Sequence, residues 1–124
     1  MPLSWVRVEN RTHIQINYQS NRMLQRIGKA NLSEFAHFRG NLASGWSGRG
    51  GQCTNAYFKN ADPCGSSSGS GVAASIGLVA VTLGTETDGS ITCPTSNNNL
   101  AGIKPTVGLV SRAGGEDFVF VNSL

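Results

Sequence analysis

The hydrophobic pattern changes character twice along the chain. Residues 5–8 and 14–18 alternate apolar and polar side chains, which predicts a short strand or hairpin. Residues 72–81 form a nearly continuous apolar run instead, which predicts a buried helix over 71–78 and a short inner strand over 79–83. Glycine- and serine-rich turns lie on both sides of this run, and we expect the run to hold them in register.

The segment before the first of these turns predicts less regular structure. Residues 27–30 are typical of a strand end and turn, and Asn31 is the expected N-cap of a helix over 32–38, with Glu34 as its capping-box partner. Residues 40–63 are rich in Gly, Asn and Ser and predict an irregular loop. Its three large aromatic side chains are expected to pin the loop by packing: Trp46, Tyr57 and Phe58.

The region after the second turn predicts a loop and one last strand. Pro94, Pro105 and the asparagine run 97–99 are loop signals, and residues 107–110 are the candidate strand. Neither this region nor the rest of the chain contains a repeat.

Length and charge restrict the function classes. A chain of 124 residues has room for one small core, and its 16 glycines are an excess that indicates loops. The net charge is +3, but Lys and Arg are scattered without a basic run, which argues against nucleic-acid binding. The start of the chain has no apolar core of signal-peptide length, and no later apolar run approaches membrane-spanning length. We therefore expect a soluble, intracellular chain, with the cytoplasm as one candidate compartment.

The cysteines and histidines predict neither a metal site nor a cofactor. Cys53, Cys64 and Cys93 form no C-x-x-C pair, and His13 and His37 lie far from them in sequence. An odd number of cysteines also fits a reducing compartment better than a disulfide framework.

Two common readings of a glycine-rich turn fit the first turn poorly. A phosphate-binding loop at a helix N-terminus would need a Lys-Ser/Thr pair that is absent after Gly71. Residues 65–69 match the G-x-S-x-G nucleophile elbow, but a poor strand precedes them and no histidine occurs after His37.

A serine hydrolase with a lysine base is the remaining option. An unprotonated lysine can accept a hydroxyl proton, provided that burial lowers its pKa. Ser90 lies in the turn Thr87-Asp88-Gly89-Ser90, whose successive backbone N–H groups can face one oxyanion. A turn that merely closes a hairpin is the simpler alternative for either turn taken alone.

Several ordered blocks resemble the amidase signature family of C–N hydrolases, especially its peptide-amidase-like branch with plant members. The resemblance covers residues 24–114 and is carried by the following blocks: GKANLSEF at 28–35, GWS at 45–47, NADP at 60–63, CGSSSGS at 64–70, LGTETDGSI at 83–91, GIKPTVG at 102–108 and SR at 111–112. It implies an α/β fold, a mixed β-sheet flanked by helices, of which this chain is an incomplete fragment. It also divides the chain into a divergent N-terminal segment (1–22), a partial amidase signature domain (23–114) and a divergent tail (115–124).

The resemblance assigns roles to named residues. The family uses a Ser–cisSer–Lys triad, in which Ser90 is the implied acyl nucleophile and Ser66 the cis-peptide serine that relays the proton. Main-chain N–H groups of Thr87, Asp88, Gly89 and Ser90 form the implied oxyanion hole, and Ser68 is the implied supporting hydroxyl. The implied substrate is a small-molecule or peptide amide, hydrolysed through an acyl-serine without any cofactor or metal.

One part of the family pattern is missing. The family's lysine lies in a K-D-N/D block upstream of the G-K-x-N block, and the sequence contains no such block. Lys29, Lys59 and Lys104 do not match that position, and Lys29 and Lys104 are expected to be structural. The sequence thus predicts an inactive amidase fragment; a non-catalytic binding or regulatory remnant, or a chain that never accumulates, are the alternatives. In a fragment, residues 71–83 should be unusually exposed.

Overall fold

The fold is described here from a computed structural model, which covers residues 4–8 and 25–110, with burial described from residue 28 onward. The predicted strand over 14–18 and the block at 111–112 lie outside the described residues. The architecture is α/β, as the sequence predicted, with a small sheet and helices.

A parallel three-stranded sheet organises the described residues. β1 (Ser4–Val8) lies in the middle, between β2 (Gln25–Ala30) and β5 (Val81–Thr82). Trp5 pairs with Arg26 and Val81, and the register with β2 shifts between Trp5 and Val6. β1 therefore joins sheet partners that are distant in sequence, and it does not form a hairpin with its neighbour β2, because their pairing is parallel.

The apolar run folds as predicted in type, but its elements are shorter or shifted. α1 (Ser68–Ser75) begins three residues earlier than expected, inside the glycine- and serine-rich turn. It packs against β5, β2 and a second helix. The buried residues of α1 are the four in its first turn: Ser68, Gly69, Ser70 and Gly71. A Cβ atom on Gly69 would lie only 2.4 Å from the Asn31 carbonyl oxygen. Small residues thus let the start of α1 approach neighbouring backbone closely.

The second helix, α2 (Thr92–Asn97), was not predicted, because Pro94 read as a loop signal. Pro94 occupies the first turn of α2, where backbone N–H groups have no intrahelical acceptor, so its missing N–H costs the helix little. The prediction of a last strand over residues 107–110 is wrong, because these residues form turns and bends.

Residues 31–53 also differ from the prediction. A 3₁₀ turn over Glu34–His37 replaces the expected helix, and Phe35, Ala36 and His37 have positive φ angles. The loop beyond it holds a small antiparallel hairpin of β3 (Trp46–Ser47) and β4 (Gly51–Gln52).

The interior of the described chain is built from small and polar residues. Val79 is the buried hydrophobic side chain within residues 28–110, whereas Ser33, Ser68 and Asn98 are fully buried. Tyr57 is 54% exposed and Phe58 is 71% exposed, so packing does not bury these two predicted anchors. The exposure expected over residues 71–83 holds only in part: Ile76 and Leu78, just after α1, are 53% and 67% exposed, whereas Val79 is buried.

Candidate active site

The first serine-rich turn contains a cis peptide bond. The bond joins Gly65 to Ser66, and Ser66 is 96% buried, with 4% of its surface exposed. The Ser33 N–H donates to the carbonyl oxygen of Ser66 at 3.0 Å, so the segment after β2 fixes the orientation of this turn. The structure therefore ties the predicted relay serine to a second, distant segment of the chain.

A series of hydrogen bonds between hydroxyl and backbone groups stabilises this turn. The Gly45 N–H donates to Ser33 Oγ at 2.8 Å, and Ser33 Oγ lies 3.2 Å from Ser68 Oγ. The Ser68 hydroxyl in turn donates to the Cys64 carbonyl oxygen. Since Ser33 and Ser68 have no solvent-exposed surface, these bonds replace the water that the two hydroxyls would otherwise bind. Ser68 is thus engaged in holding the turn.

The second turn is organised around the carboxylate of Glu86. Its Oε2 accepts hydrogen bonds from the N–H groups of Ile91 at 2.7 Å and Thr92 at 2.8 Å. Partial burial by itself raises the pKa of this carboxyl group. The hydrogen bonds from Thr92, Ile91 and Gly89 outweigh that effect and hold the Glu86 pKa below its ordinary value. Glu86 thereby closes the turn that carries Ser90.

Hydrogen bonds from α1 join the two turns. The Ser67 N–H donates to the Ser90 carbonyl oxygen at 3.1 Å. The Ser67 hydroxyl both donates to the Thr85 carbonyl oxygen, at 3.3 Å, and accepts the Thr85 N–H, at 3.2 Å. One turn later in the helix, Ser70 Oγ donates to the Leu83 carbonyl oxygen at 2.7 Å. These bonds confirm the expectation that the two turns are held in register.

A disulfide bond also connects the two turns. Cys64 and Cys93 are joined, with their Cα atoms 5.8 Å apart, whereas Cys53 is a free thiol. The sequence favoured a reducing compartment over a disulfide framework, whereas the structure pairs two of the three cysteines. Sequence reasoning missed the pair because the two residues are 29 positions apart and are brought together by the packing of α1 against α2 and β5. Burial raises the pKa of the free Cys53 thiol.

Two asparagine side chains cross-link the segments around the site. Asn31 Nδ2 donates to the carbonyl oxygens of Gly45 and Gly51, both at 2.9 Å, which explains why this residue does not act as the predicted N-cap. The fully buried Asn98 donates to the Pro63 carbonyl oxygen at 2.9 Å and accepts the Ala56 N–H at 3.0 Å. Each asparagine cross-links loops that carry few apolar contacts of their own.

The structure thus brings most of the predicted site residues into one region. Ser66 and Ser68 lie on the first turn, and residues 87–90 form the second turn. The Ser67 N–H connects the two turns by its hydrogen bond to the Ser90 carbonyl oxygen. Sequence reasoning did not predict the roles of Ser33, Ser67 and Glu86, although all three lie within blocks that carry the resemblance.

The described residues contain no group of three His, Cys, Asp or Glu side chains that could hold a metal ion. In the same residues, no helix is both long and apolar enough to cross a membrane.

Comparisons with known proteins identify the class to which this fold and site belong. A family model described as Amidase matches residues 24–121. An Arabidopsis thaliana protein named as a probable amidase is 60% identical over 89 residues, which are 71% of this chain and 17% of that protein. The chain belongs to the amidase family.

Solved structures agree with this assignment. The native peptide amidase from Stenotrophomonas maltophilia superposes with a TM-score of 0.78 at 43% identity, covering 91% of this chain and 28% of that one. A complex of a peptide amidase with the competitive inhibitor chymostatin gives a TM-score of 0.76 at 42% identity, over 90% of this chain and 27% of that one. The chain therefore spans less than a third of the length of these relatives.

Proposed function

We propose that this chain carries the serine half of an amidase active site. Ser90 is the acyl nucleophile, Ser66 relays its proton, and Ser68 supports the relay by holding the turn. The reaction is hydrolysis of a linear carboxamide: Ser90 attacks the carbonyl carbon, ammonia leaves, and water releases the acid from the acyl-serine. The observation that carries the proposal is the hydrogen bond from Ser67 N–H to the Ser90 carbonyl oxygen, which places the two turns side by side.

The oxyanion hole is proposed to consist of the main-chain N–H groups of Thr87, Asp88, Gly89 and Ser90. Such donors stabilise the charge that develops on the carbonyl oxygen during attack.

The substrate is proposed to be a small-molecule or peptide amide. Support comes from the likeness to peptide amidases, one of them solved with a competitive inhibitor.

The division of the chain into an N-terminal segment (1–22), a partial amidase domain (23–114) and a tail (115–124) also stays a proposal.

The catalytic lysine is proposed to lie outside this chain. The sequence contains no K-D-N/D block, and a triad whose members act as a unit loses most of its activity when one member is missing. We expect the purified chain to release no ammonia from amino-acid amides or aryl amides. Turnover that Ser90→Ala abolishes would overturn this expectation.

A second experiment tests Ser90 directly. The chain is treated with an activated ester, and a small hindered tertiary amine, which cannot form an amide with the ester, is added to replace the missing base. Mass spectrometry of the digested protein locates the acyl group. We expect acylation of Ser90 that rises with the concentration of unprotonated amine, and Ser96→Ala, an exposed serine in α2, serves as the matched control. Acylation spread over several serines, or unchanged by Ser90→Ala, contradicts the assignment.

A further inference from the structure

We propose that Cys64 and Cys93 form a redox-responsive site that controls how firmly the two serine turns are held together. The disulfide joins them just outside the proposed machinery: Cys64 precedes Ser66 by two residues, and Cys93 follows Ser90 by three. The effect of this site on hydrolysis rests on the proposed function, whereas the cross-link and its effect on the turns do not.

Both cysteines are coupled to their turns through backbone hydrogen bonds. The Cys64 carbonyl oxygen accepts the Ser68 hydroxyl, and the Cys64 N–H donates to Asp62 Oδ1 at 2.7 Å. The Cys93 N–H donates to the Gly89 carbonyl oxygen at 2.7 Å. These bonds link Cys64 to Ser68 in the first turn and Cys93 to Gly89, the residue before Ser90, so we expect loss of the disulfide to affect both turns.

The disulfide connects the two turns covalently, and hydrogen bonds also connect them. Hydrogen bonds between the turns run from Ser67 to Ser90, in a pair between Ser67 and Thr85, and from Ser70 to Leu83. The interior around them is polar and contains little buried apolar surface. Because hydrogen bonds alone add only modest net stability, the covalent link should contribute a large share of the rigidity here.

We expect the site to react with thiol reagents. Cys64 and Cys93 are both half-buried, so part of each residue faces solvent. Reduction by a dithiol proceeds by thiolate attack on one sulfur, which gives a mixed disulfide and releases the other cysteine as a thiolate. The second thiol of the reagent then displaces the first cysteine, so that the reagent becomes a disulfide and the protein gains two thiols. Glutathione disulfide reverses the reaction, with two molecules of reduced glutathione as products.

Cys53 provides an internal control. It is outside the disulfide, and burial raises its thiol pKa, which lowers the fraction of reactive thiolate. Cys53→Ser should therefore leave the redox response intact, while Cys64→Ser and Cys93→Ala should each abolish it.

The experiment combines thiol mapping with amide hydrogen exchange on the full chain. After incubation with glutathione disulfide, denaturation and alkylation, we expect one alkylated cysteine, Cys53, and a linked peptide containing Cys64 and Cys93. After dithiothreitol, we expect three alkylated cysteines. Reduction should also accelerate exchange in residues 66–70 and 89–93 at least several-fold, and more than in the hairpin over 46–52, and should lower Tm by on the order of 10 °C.

Each other outcome overturns the proposal. Alkylation of all three cysteines after glutathione disulfide would show that the pair does not form in solution. Equal exchange rates in the two redox states, or a uniform acceleration over the whole chain, would show that the pair does not control the turns. If either cysteine variant fails to fold, the comparison of oxidised and reduced wild-type protein still decides the question. None of these readouts depends on amide hydrolysis, so their failure is distinguishable from failure of the proposed function.

Discussion

The backbone N–H of Ser67 donates to the carbonyl oxygen of Ser90 across 3.1 Å, and this bond joins the two serine turns next to the proposed nucleophile. The same residue reinforces the junction with its hydroxyl, which is bonded twice to the backbone of Thr85. Ser67 is 3% exposed, so water cannot replace these side-chain bonds.

Substitution of Ser67 by Ala should therefore weaken the junction without breaking the backbone bond to Ser90. The loss of two hydrogen bonds at a buried site should lower the free energy of unfolding by about 1–2 kcal/mol. Urea denaturation of the chain measures the change, with the exposed Ser96→Ala as the control. Equal midpoints for the two variants would show that the Ser67 hydroxyl contributes nothing to the junction.

Gly69 should tolerate no side chain. A Cβ atom there would lie 2.4 Å from the Asn31 carbonyl oxygen and 2.6 Å from the Asn31 nitrogen, and backbone atoms cannot move aside easily. The Gly69 N–H also donates to that oxygen at 2.7 Å. Gly69→Ala should cost about 3 kcal/mol of unfolding free energy.

Gly28→Ala is the matched control for this substitution. Gly28 lies in β2, and nothing occupies the 4 Å around its hypothetical Cβ atom. Thermal denaturation of both variants should show a large loss for Gly69→Ala alone. Similar melting temperatures would contradict the close approach of α1 to the segment after β2.

Asn98 should be essential for joining α2 to the loop before the first turn. Replacement by Ala removes its bonds to the Pro63 and Pro94 carbonyl oxygens and to the Ala56 N–H. Because Asn98 is fully buried, these groups lose their partners, and we expect a loss of about 3 kcal/mol. The neighbouring Asn97 is exposed, so Asn97→Ala should cost much less. Equal losses in urea denaturation would refute the role of Asn98.

Glu86 should make the stability of the chain depend on acid pH. Its pKa in the folded state lies below the ordinary value of 4.5, so the ionised carboxylate stabilises the fold. This contribution is fully present above the unfolded pKa, and it is lost as the pH falls through the folded pKa. We therefore expect the wild-type chain to lose stability below about pH 4.5 to a greater extent than Glu86→Gln.

The pH series requires a second carboxyl variant for comparison. Asp88→Asn changes an exposed carboxyl group in the same turn and should follow the wild-type curve more closely than Glu86→Gln does. At neutral pH, Glu86→Gln should cost about 1 kcal/mol, since a neutral acceptor replaces a charged one. A Glu86→Gln curve parallel to wild type throughout the acid range would contradict the role of this carboxylate.

Short-range sequence signals predicted those elements whose pattern is local. The apolar run indicated α1 and β5, and the residues at 27–30 indicated β2, because helix and strand periodicity follow from neighbouring side chains. The turn at Phe35 was not predictable in this way. Its positive φ angle belongs to a segment in which the Asn31 side chain binds the distant carbonyl groups of Gly45 and Gly51 instead of capping a helix.

The resemblance suggested which residues of the candidate site to examine, but not how they are connected. The blocks around Ser66 and Ser90 carry the resemblance to amidases. The Ser33–Ser68 contact and the Cys64–Cys93 bond join positions 35 and 29 residues apart. No spacing rule links such positions, since tertiary packing brings them together.

The central position of β1 in the sheet affects how the chain folds during synthesis and how it should be expressed. Val6 pairs with both Gly28 and Thr82, so the middle strand leaves the ribosome long before its second neighbour exists. The family match begins at residue 24, and a recombinant form cut to that match would leave β2 and β5 without the strand between them. Newly made chain should therefore be prone to aggregation until Thr82 has emerged, and expression with the first residues intact is the safer choice.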